Sequence, residues 1–491
     1  MNRSSGVFLS ISSLPSKYGI GTLGKEAYKF IDYLKQSGFK YWQILPFNPT
    51  GFGNSPYQTF STFAGNPYYI DLNLLKEEKL LSYNDFKDYK YNDGEFVDYG
   101  LLYVEKFKIL RKAYKKGHEL LKEKIDEFCK ENSYWIDDYS LFMAIKDHLN
   151  GCDFLNWPND IKRRHKSALN KYKQLLEEDI NFYKFIQYIF YKQFTELTNY
   201  CKNQGIELIC DVPIYVSMDS CDVWANTDLF MFDSNYNPKL VAGVPPDYFS
   251  ETGQLWGNPL YNYNKMKKDN YSWWVNRIKH ISKYCSTIRI DHFRGFEAYY
   301  AIKYGERTAI NGKWIKGPGI SLFYQIKKEC PNVNIIAEDL GIITRKVRKL
   351  INECGYPGMK VLQFAFDGKK NNLYLPKNHI PNSVTYIGTH DNQTLRGYVN
   401  SLNDESKTYI KSCFRFKDDN LESLLIKGLF KSKSNLIIIS VSDILGKDDN
   451  YRMNEPATTN DKNWCYRLTD FKELFKTKNK YLKLNTKTNR L

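Results

Sequence analysis

Four acidic residues stand directly after short apolar segments of the chain, where a carboxylate is free to do chemistry. Asp211 follows "LIC", Asp291 follows "TIRI", Glu338 follows "IIA" and Asp391 follows "YIGTH". In a parallel α/β barrel the carboxyl ends of the strands meet at one rim, and active sites are built there. We therefore expect the four carboxylates to share one cleft, where a cation, a metal ion or a cationic transition state must offset their repulsion.

Arg289 and Asp291 lie two residues apart in "STIRIDHF", which otherwise reads as a buried strand. Residues i and i+2 of a strand point to the same face, so both side chains point to the barrel mouth. A guanidinium lowers the pKa of a neighbouring carboxyl, so Arg289 is expected to keep Asp291 ionised. Glycoside hydrolysis needs an ionised carboxylate and a protonated one, and Glu338 fits the second role. A retaining reaction predicts that these two carboxyl groups lie about 5–5.5 Å apart.

Other interpretations of these residues stay open at this point. Carboxylates also bind Mg²⁺ or Ca²⁺, but the chain has no D-x-D-x-D-G loop, and Arg289 and Arg294 supply fixed cations instead. An Arg-x-Asp pair at a strand end is equally typical of a structural ion pair. Glu338 and Asp391 are each compatible with a helix N-cap, which needs no substrate.

Eight short apolar segments bounded by polar turns predict the strands that carry these residues. They are 6–11, 41–46, 207–215, 286–293, 334–341, 360–366, 383–391 and 435–443. Their apolar runs are continuous rather than alternating, as in parallel strands buried on both faces. Helical patterns such as "GKEAYKFIDYLKQSG" separate several of them, so the predicted fold class is α/β, a (β/α)₈ TIM barrel.

Two intervals are too long for simple crossovers and are predicted to be insertions. Residues 72–200 are mostly helical in pattern and are interpreted as a helical subdomain between strands 2 and 3, with 1–71 and 201–491 forming the catalytic barrel. An apolar stripe at helical spacing predicts an amphipathic helix there. Its residues are Phe182, Ile186, Ile189, Phe190 and Leu197. The second interval, 216–280, contains the Pro-, Gly- and aromatic-rich stretch 242–264, which is predicted to be a long ordered loop.

The composition is that of a large folded protein, with 491 residues, 16% aromatic residues and a formal net charge of +16. The lysines are spread along the chain without a basic arm or zinc-finger spacing, so no nucleic-acid partner is predicted. The longest apolar stretches are shorter than a bilayer requires, so no membrane partner is predicted either. The cysteines form no C-x-x-C pair and Cys210 lies in an apolar run, which predicts a free core thiol and a reducing, cytoplasmic location.

Three segments around the acidic residues resemble the catalytic segments of the 4-α-glucanotransferases, glycoside hydrolase family 77, also called amylomaltases or disproportionating enzymes. These segments are "RIDHFRGFEAYY", "IIAEDLG" and "GTHDNQTLRGY". Further blocks resemble the same family in the same order, among them "SLPSKYGIGTLG", "DVPIYVSMDSCDVWAN" and "RMNEPATTNDKNW". The resemblance extends over nearly the whole chain.

The resemblance implies an enzyme that transfers an α-1,4-glucan segment to the 4-hydroxyl group of an acceptor sugar with retention of configuration. Asp291 matches the family's nucleophile, Glu338 its general acid/base and Asp391 the carboxylate that stabilises the transition state. The block 243–262 matches the loop that covers the cleft in this family. The positions that match substrate contacts are Tyr57, Asp211, Tyr248, Phe249, Gln254, Trp256, Arg289 and His390. The implied substrates are maltooligosaccharides, starch or glycogen, and the resemblance implies no cofactor and no metal ion.

Some residues depart from the family pattern, and other functions stay open. Ser10, Ile11 and Ser12 stand where the family has His-Pro-Thr. Gln393, Leu395 and Glu455 also differ from its usual residues. These departures affect the expected fine specificity rather than the three acids. An α-amylase-type hydrolase shares the barrel and the acids, so only the product pattern separates it from a transferase. A glucan-binding protein without catalysis is disfavoured because all three acids are present.

Overall fold

The computed structural model of the chain describes residues 2–51, 53–246, 250–458 and 460–491. Within these ranges, no helix combines the length and the apolar composition needed to cross a membrane. The expected substrate contacts Tyr248 and Phe249 lie outside the described residues.

Eight of the strands close into a parallel barrel, which confirms the predicted fold class. The strands are β1 (Ser4–Phe8), β2 (Tyr41–Gln43), β3 (Glu207–Val212), β4 (Leu240–Val244), β5 (Gln254–Pro259), β6 (Thr287–Ile290), β7 (Ala298–Lys303), β8 (Lys313–Lys316), β9 (Asn334–Ala337), β10 (Gly358–Val361), β11 (Ser383–Tyr386) and β12 (Leu436–Ser440). The barrel order is β1-β12-β11-β10-β9-β6-β3-β2. Strands such as β1, β6 and β11 are buried along their whole length, as continuous apolar runs predict.

Each predicted barrel segment overlaps one barrel strand, but several strands end earlier than predicted. In the segment 286–293 the strand ends at Ile290 because Asp291 and His292 form a turn, with His292 at φ 49°. In the segment 383–391 the strand ends at Tyr386. Asp291 and Asp391 therefore lie in turns beyond their strands, and Glu338 directly follows β9, whereas Asp211 lies within β3.

A second sheet of four antiparallel strands has the order β5-β4-β7-β8. It corrects the expectation that 243–262 is a loop, because this stretch contains the end of β4 and all of β5. Glycines obscure the strand pattern here. A side chain at Gly243 would collide with the carbonyl oxygen of Gln254 on β5, so close pairing of the two strands requires glycine at this position.

Helices fill the intervals between the strands. They are α1 (Lys25–Gln36), α2 (Leu72–Glu77), α3 (Tyr83–Phe86), α4 (Tyr99–Gly117), α5 (Lys122–Glu131), α6 (Ile136–His148), α7 (Asn159–Lys162), α8 (Lys166–Leu175), α9 (Glu177–Gln204), α10 (Cys221–Ala225), α11 (Tyr263–Lys268), α12 (Ser272–Ser282), α13 (Ile320–Glu329), α14 (Arg345–Cys354), α15 (Leu395–Ser401), α16 (Asp404–Ser412), α17 (Leu421–Lys431), α18 (Val441–Ile444), α19 (Lys472–Lys476) and α20 (Lys478–Lys487).

The interval 72–200 is helical, as predicted, and contains α2 to α8 and most of α9. The five residues of the predicted apolar stripe are all buried in α9. This helix continues to Gln204, ends before Gly205 in the left-handed conformation, and packs against α1 and β3 as well as α6. The division of the chain into a barrel and an inserted subdomain stays a prediction.

Cys210 forms a disulfide with Cys285, which corrects the expectation of a free thiol. Cys210 lies on β3 and Cys285 lies just before β6, and these two strands are neighbours in the barrel. The sequence separation of 75 residues hides this proximity from the spacing of the cysteines.

Arg490 packs at the amino-terminal end of the barrel, opposite the acidic residues. Its side chain is fully buried, and burial lowers its pKa to about 9. Its three side-chain nitrogens donate to the carbonyl oxygens of Ser4, Phe430, Ser432, Ser434 and Asn435 at 2.8 to 3.1 Å. These carbonyl dipoles replace the water shell of the cation and tie the start of β1 to the residues that precede β12.

We expect Arg490→Met to lower the free energy of unfolding by about 3 kcal/mol, because it removes five hydrogen bonds from a charged donor at once. Chemical denaturation followed by tryptophan fluorescence measures this change. The control is Arg345→Met, at the exposed start of α14, which should change the free energy of unfolding by less than about 0.5 kcal/mol. If the two variants are equally stable, the buried guanidinium contributes nothing specific.

Candidate active site

Arg289 is the buried cation around which the acidic residues gather. It lies on β6 directly opposite Asp211 of β3. Its Nη1 pairs with the carboxylate of Asp211, and its Nη2 lies 3.2 Å from Oδ1 of Asp291. Arg289 and Asp211 have side-chain exposures of 4% and 0%, against 30% for Asp291. Asp211, which we expected to contact substrate, therefore lies behind Arg289 and holds it from inside the barrel.

Tyr57 connects this ion pair to the wall of the cleft. Its hydroxyl donates to Oδ2 of Asp211 at 2.7 Å, and its ring stacks on His390 with ring centres 5.3 Å apart. Burial raises the pKa of the Tyr57 hydroxyl well above its usual value, so the group stays protonated and remains a donor. Tyr57 and His390, both expected to contact substrate, form one packed surface beside the acids.

Asp391 is oriented by neighbours on both sides. Nε2 of His390 lies 3.3 Å from its Oδ2, and Nδ2 of Asn454 donates to its Oδ1 at 2.6 Å. Arg452 donates to the backbone carbonyl of Asp391. The side chain of Asp391 remains 43% exposed, so its carboxylate is accessible to a ligand. Sequence reasoning did not identify Asn454 or Arg452, although both belong to the block "RMNEPATTNDKNW".

Glu338 is held by two backbone amides rather than by a side chain. The amide of His292 donates to Oε2 at 2.7 Å, and the amide of Leu340 donates to Oε1 at 2.6 Å. The first of these bonds depends on the left-handed conformation of His292, at φ 49° and ψ 47°. A non-glycine residue adopts this conformation at a cost of about 1–2 kcal/mol. The N-cap interpretation of Glu338 does not account for this bond from His292, which comes from a different strand end.

The pKa of Asp291 responds to the charge of Glu338, its neighbour in the cleft. Burial raises the pKa of Asp291, Arg289 lowers it, and Glu338 raises it again. We expected Arg289 to hold this pKa down, but the effect of burial is larger and the net shift is upward. Burial also raises the pKa of Glu338, against the cation of Arg289. A pair that resists losing both protons can present one acid and one carboxylate at the same time.

The strand β5 brings two of the expected substrate contacts to the edge of the acids. Trp256 Nε1 donates to Oε1 of Gln254 at 3.1 Å. The Trp256 ring packs edge to face against the ring of His292, with centres 4.9 Å apart and an angle of 84° between the planes. Both residues therefore lie next to the turn that follows Asp291.

The chain is similar to known proteins over nearly its whole length. A family model described as 4-alpha-glucanotransferase matches residues 9–473. The chain belongs to this family. A 4-alpha-glucanotransferase of Clostridium butyricum is 46% identical over 466 residues, which cover 94% of this chain and 96% of that protein. One of Streptococcus pneumoniae is 42% identical over 473 residues, covering 95% and 94%.

Solved structures agree with the family. The amylomaltase from Streptococcus agalactiae, solved in complex with acarbose, has a TM-score of 0.96 at 39% identity and covers 99% of both chains. An amylomaltase from Corynebacterium glutamicum has a TM-score of 0.80 at 18% identity over 99% of this chain and 75% of that one, which shows the shared fold alone. The protein is accordingly a glycosyltransferase with 4-alpha-glucanotransferase activity, as the resemblance implied.

We expect Asp211→Asn to reduce both stability and activity, because it leaves the buried guanidinium of Arg289 without its innermost counter-charge. The free energy of unfolding should fall by about 3 kcal/mol. The kcat/KM for glucan transfer should fall by about 100-fold, as when a preorganised charge is lost. Denaturant unfolding and initial rates measure the two effects.

The matched control is Asp443→Asn. Asp443 is also buried, at 5% exposure, but its Oδ1 accepts a hydrogen bond from the amide of Leu395, which the oxygen of an asparagine can keep. We expect a loss of less than about 1 kcal/mol and unchanged kcat/KM. Similar losses in the two variants would mean that Asp211 acts only as a buried polar residue.

Proposed function

We propose that the enzyme transfers α-1,4-glucan segments by a double displacement, with Asp291 as the nucleophile and Glu338 as the general acid and base. The main support is the 3.2 Å contact of Arg289 with Asp291, because a neighbouring cation favours the ionised state of a carboxyl group. We assign the proton to Glu338, where an acid is needed. Burial raises the pKa of Glu338, although the amides of His292 and Leu340, which donate to its two oxygens, lower it.

In the first step, an oxygen of Asp291 attacks the anomeric carbon while the glycosidic C–O bond breaks and Glu338 protonates the departing oxygen. The donor becomes an ester on Asp291, and the reducing-end fragment leaves. In the second step, the ionised Glu338 takes the proton of the acceptor's 4-hydroxyl group, whose oxygen displaces the carboxylate of Asp291. Two inversions retain the α configuration.

Asp391 is proposed to bind hydroxyl groups of the sugar whose anomeric carbon reacts. Asn454 and His390 hold its carboxylate in one orientation before substrate arrives, so its charge needs little reorganisation when positive charge develops on the sugar ring. Tyr57 and His390 supply a flat surface of the kind on which sugar rings pack.

The preference for transfer over hydrolysis requires that water be kept from the intermediate. The position of Gln254 and Trp256 on β5, next to the turn after Asp291, supports a role of this strand as a lid.

The proposed donors and acceptors are maltooligosaccharides, starch or glycogen. This is consistent with the acarbose bound to the Streptococcus agalactiae amylomaltase. The cytoplasmic location and the carboxyl separation of about 5–5.5 Å stay predictions.

We expect purified enzyme to convert maltotriose into a ladder of longer and shorter glucans plus glucose, because each transfer breaks one α-1,4 bond and makes another. The number of reducing ends should stay constant. Chromatography of the products and a reducing-end assay, run on the same samples, measure both quantities.

Asp291→Asn should slow ladder formation by more than about 10³-fold, because it removes the nucleophile. The control Asp404→Asn, at the exposed start of α16, should behave like the parent enzyme. A rise in reducing ends without longer products would identify an α-amylase-type hydrolase. Full activity of Asp291→Asn would exclude the proposed nucleophile.

A further inference from the structure

His292 follows the proposed nucleophile, and its backbone contacts the proposed acid. The amide of Asp291 donates to the carbonyl of Val212, and the amide of Phe293 donates to the carbonyl of Glu338. The amide of His292, between them, donates instead to the side-chain oxygen Oε2 of Glu338. The left-handed turn at His292 therefore separates its amide from the backbone pairing on either side and directs it to the carboxyl group.

The ring of His292 is held by packing rather than by hydrogen bonds. It lies 4.9 Å from the ring of Trp256, nearly perpendicular to it, and 6.4 Å from the ring of Tyr215. Its Nε2 is buried and has no hydrogen-bond partner among the residues that the structure describes. Burial lowers its pKa to about 3, so the ring is neutral at physiological pH. The position of Trp256 therefore largely sets the position of this ring.

We propose that His292 is a positioning residue that couples the lid strand β5 to the carboxyl group of Glu338. Its ring follows Trp256, and its amide holds Oε2 of Glu338. A shift of β5 toward bound glucan thus changes the position of the acid. This inference rests on the role of Glu338 in the proposed function, and nothing in that role requires the side chain of His292.

Leaving-group chemistry separates a positioning role from a structural one. Cleavage of maltotriose needs an acid to protonate the departing oxygen, whereas fluoride leaves α-maltosyl fluoride without protonation. The first burst of fluoride release reports only the formation of the ester. A residue that positions Glu338 should therefore matter for maltotriose and not for the fluoride burst, whereas a residue that only supports the fold should affect both.

The test uses the full-length enzyme and His292→Asn, because asparagine tolerates the left-handed conformation and keeps the amide but lacks the ring. We expect kcat/KM for maltotriose to fall at least about tenfold, with the rate of the fluoride burst unchanged within about twofold. His292→Gly, which also tolerates this conformation, should give the same selective loss. An equal loss on both substrates, or no loss on either, would overturn the proposal.

Trp256→Leu tests the connection to the lid strand. If the ring of His292 acts through Trp256, the double variant with His292→Asn should lose no more of the maltotriose activity than the more impaired single variant. Additive losses would show that the two side chains act independently and would overturn the coupling.

Two further variants distinguish a failure of the His292 coupling from a failure of the proposed function. Glu338→Gln should itself lose maltotriose cleavage and keep the fluoride burst. If it loses both equally, the proposed function fails whatever His292 does. If it shows the selective loss and His292→Asn does not, only the coupling is overturned.

His379→Asn is the matched control, because His379 is also a buried, neutral histidine but bonds to the carbonyl of Tyr374. The activities of this variant on maltotriose and on α-maltosyl fluoride should both stay within about twofold of the parent enzyme.

Discussion

Arg289 and Asp211 form an ion pair between neighbouring strands of the barrel, with almost no access to water. The free-energy cost of burying only one of these two charges would be too high, so each residue requires the other. The pair in turn determines where its neighbours stand. Tyr57 donates to the same carboxylate, and the second guanidinium nitrogen reaches Asp291. The strand register that places Arg289 opposite Asp211 thus also sets the position of Asp291, the proposed nucleophile, and of one wall of the cleft.

The two carboxyl groups that are proposed to react differ in what surrounds them. Asp291 contacts a fixed cation, whereas Glu338 is held by the amides of His292 and Leu340. Backbone amides cannot move independently of the turns that carry them. The position of the acid is therefore tied to the conformation of the turn after Asp291, which in turn packs against Trp256 of β5. One residue, His292, thus contacts both the proposed acid and the strand that is proposed to cover the site.

The extent to which the sequence predicts this molecule differs between its parts. Barrel strands are buried on both faces, so continuous apolar runs reveal all eight of them, and the acids at their ends follow from the barrel geometry. The second sheet was not predicted, because Gly243 and its neighbours lack the apolar alternation of a half-buried strand. Its strands are specified by close pairing, which one segment alone does not show.

Within the site, contacts between side chains that lie far apart in the sequence could not be predicted either. Asn454 meets Asp391 across 63 residues of chain, and Tyr57 meets Asp211 across 154. The role of the His292 amide depends on a left-handed backbone conformation that nothing in a histidine side chain indicates. Residue types at strand ends therefore identified the acids, but not the groups that orient them.

The formation of a covalent glycosyl ester on Asp291 is the central claim, and trapping it is the most direct test. The enzyme would be incubated with 5-fluoro-α-D-glucosyl fluoride. The fluorine at C5 slows both steps, but the fluoride leaving group offsets this in the first step, so the ester accumulates. Digestion and peptide mass spectrometry would then locate the added sugar. We predict one fluoroglucosyl group on Asp291 and none on the Asp291→Asn variant. A label on another residue, or catalytic turnover of this donor without any trapped ester, would contradict the mechanism.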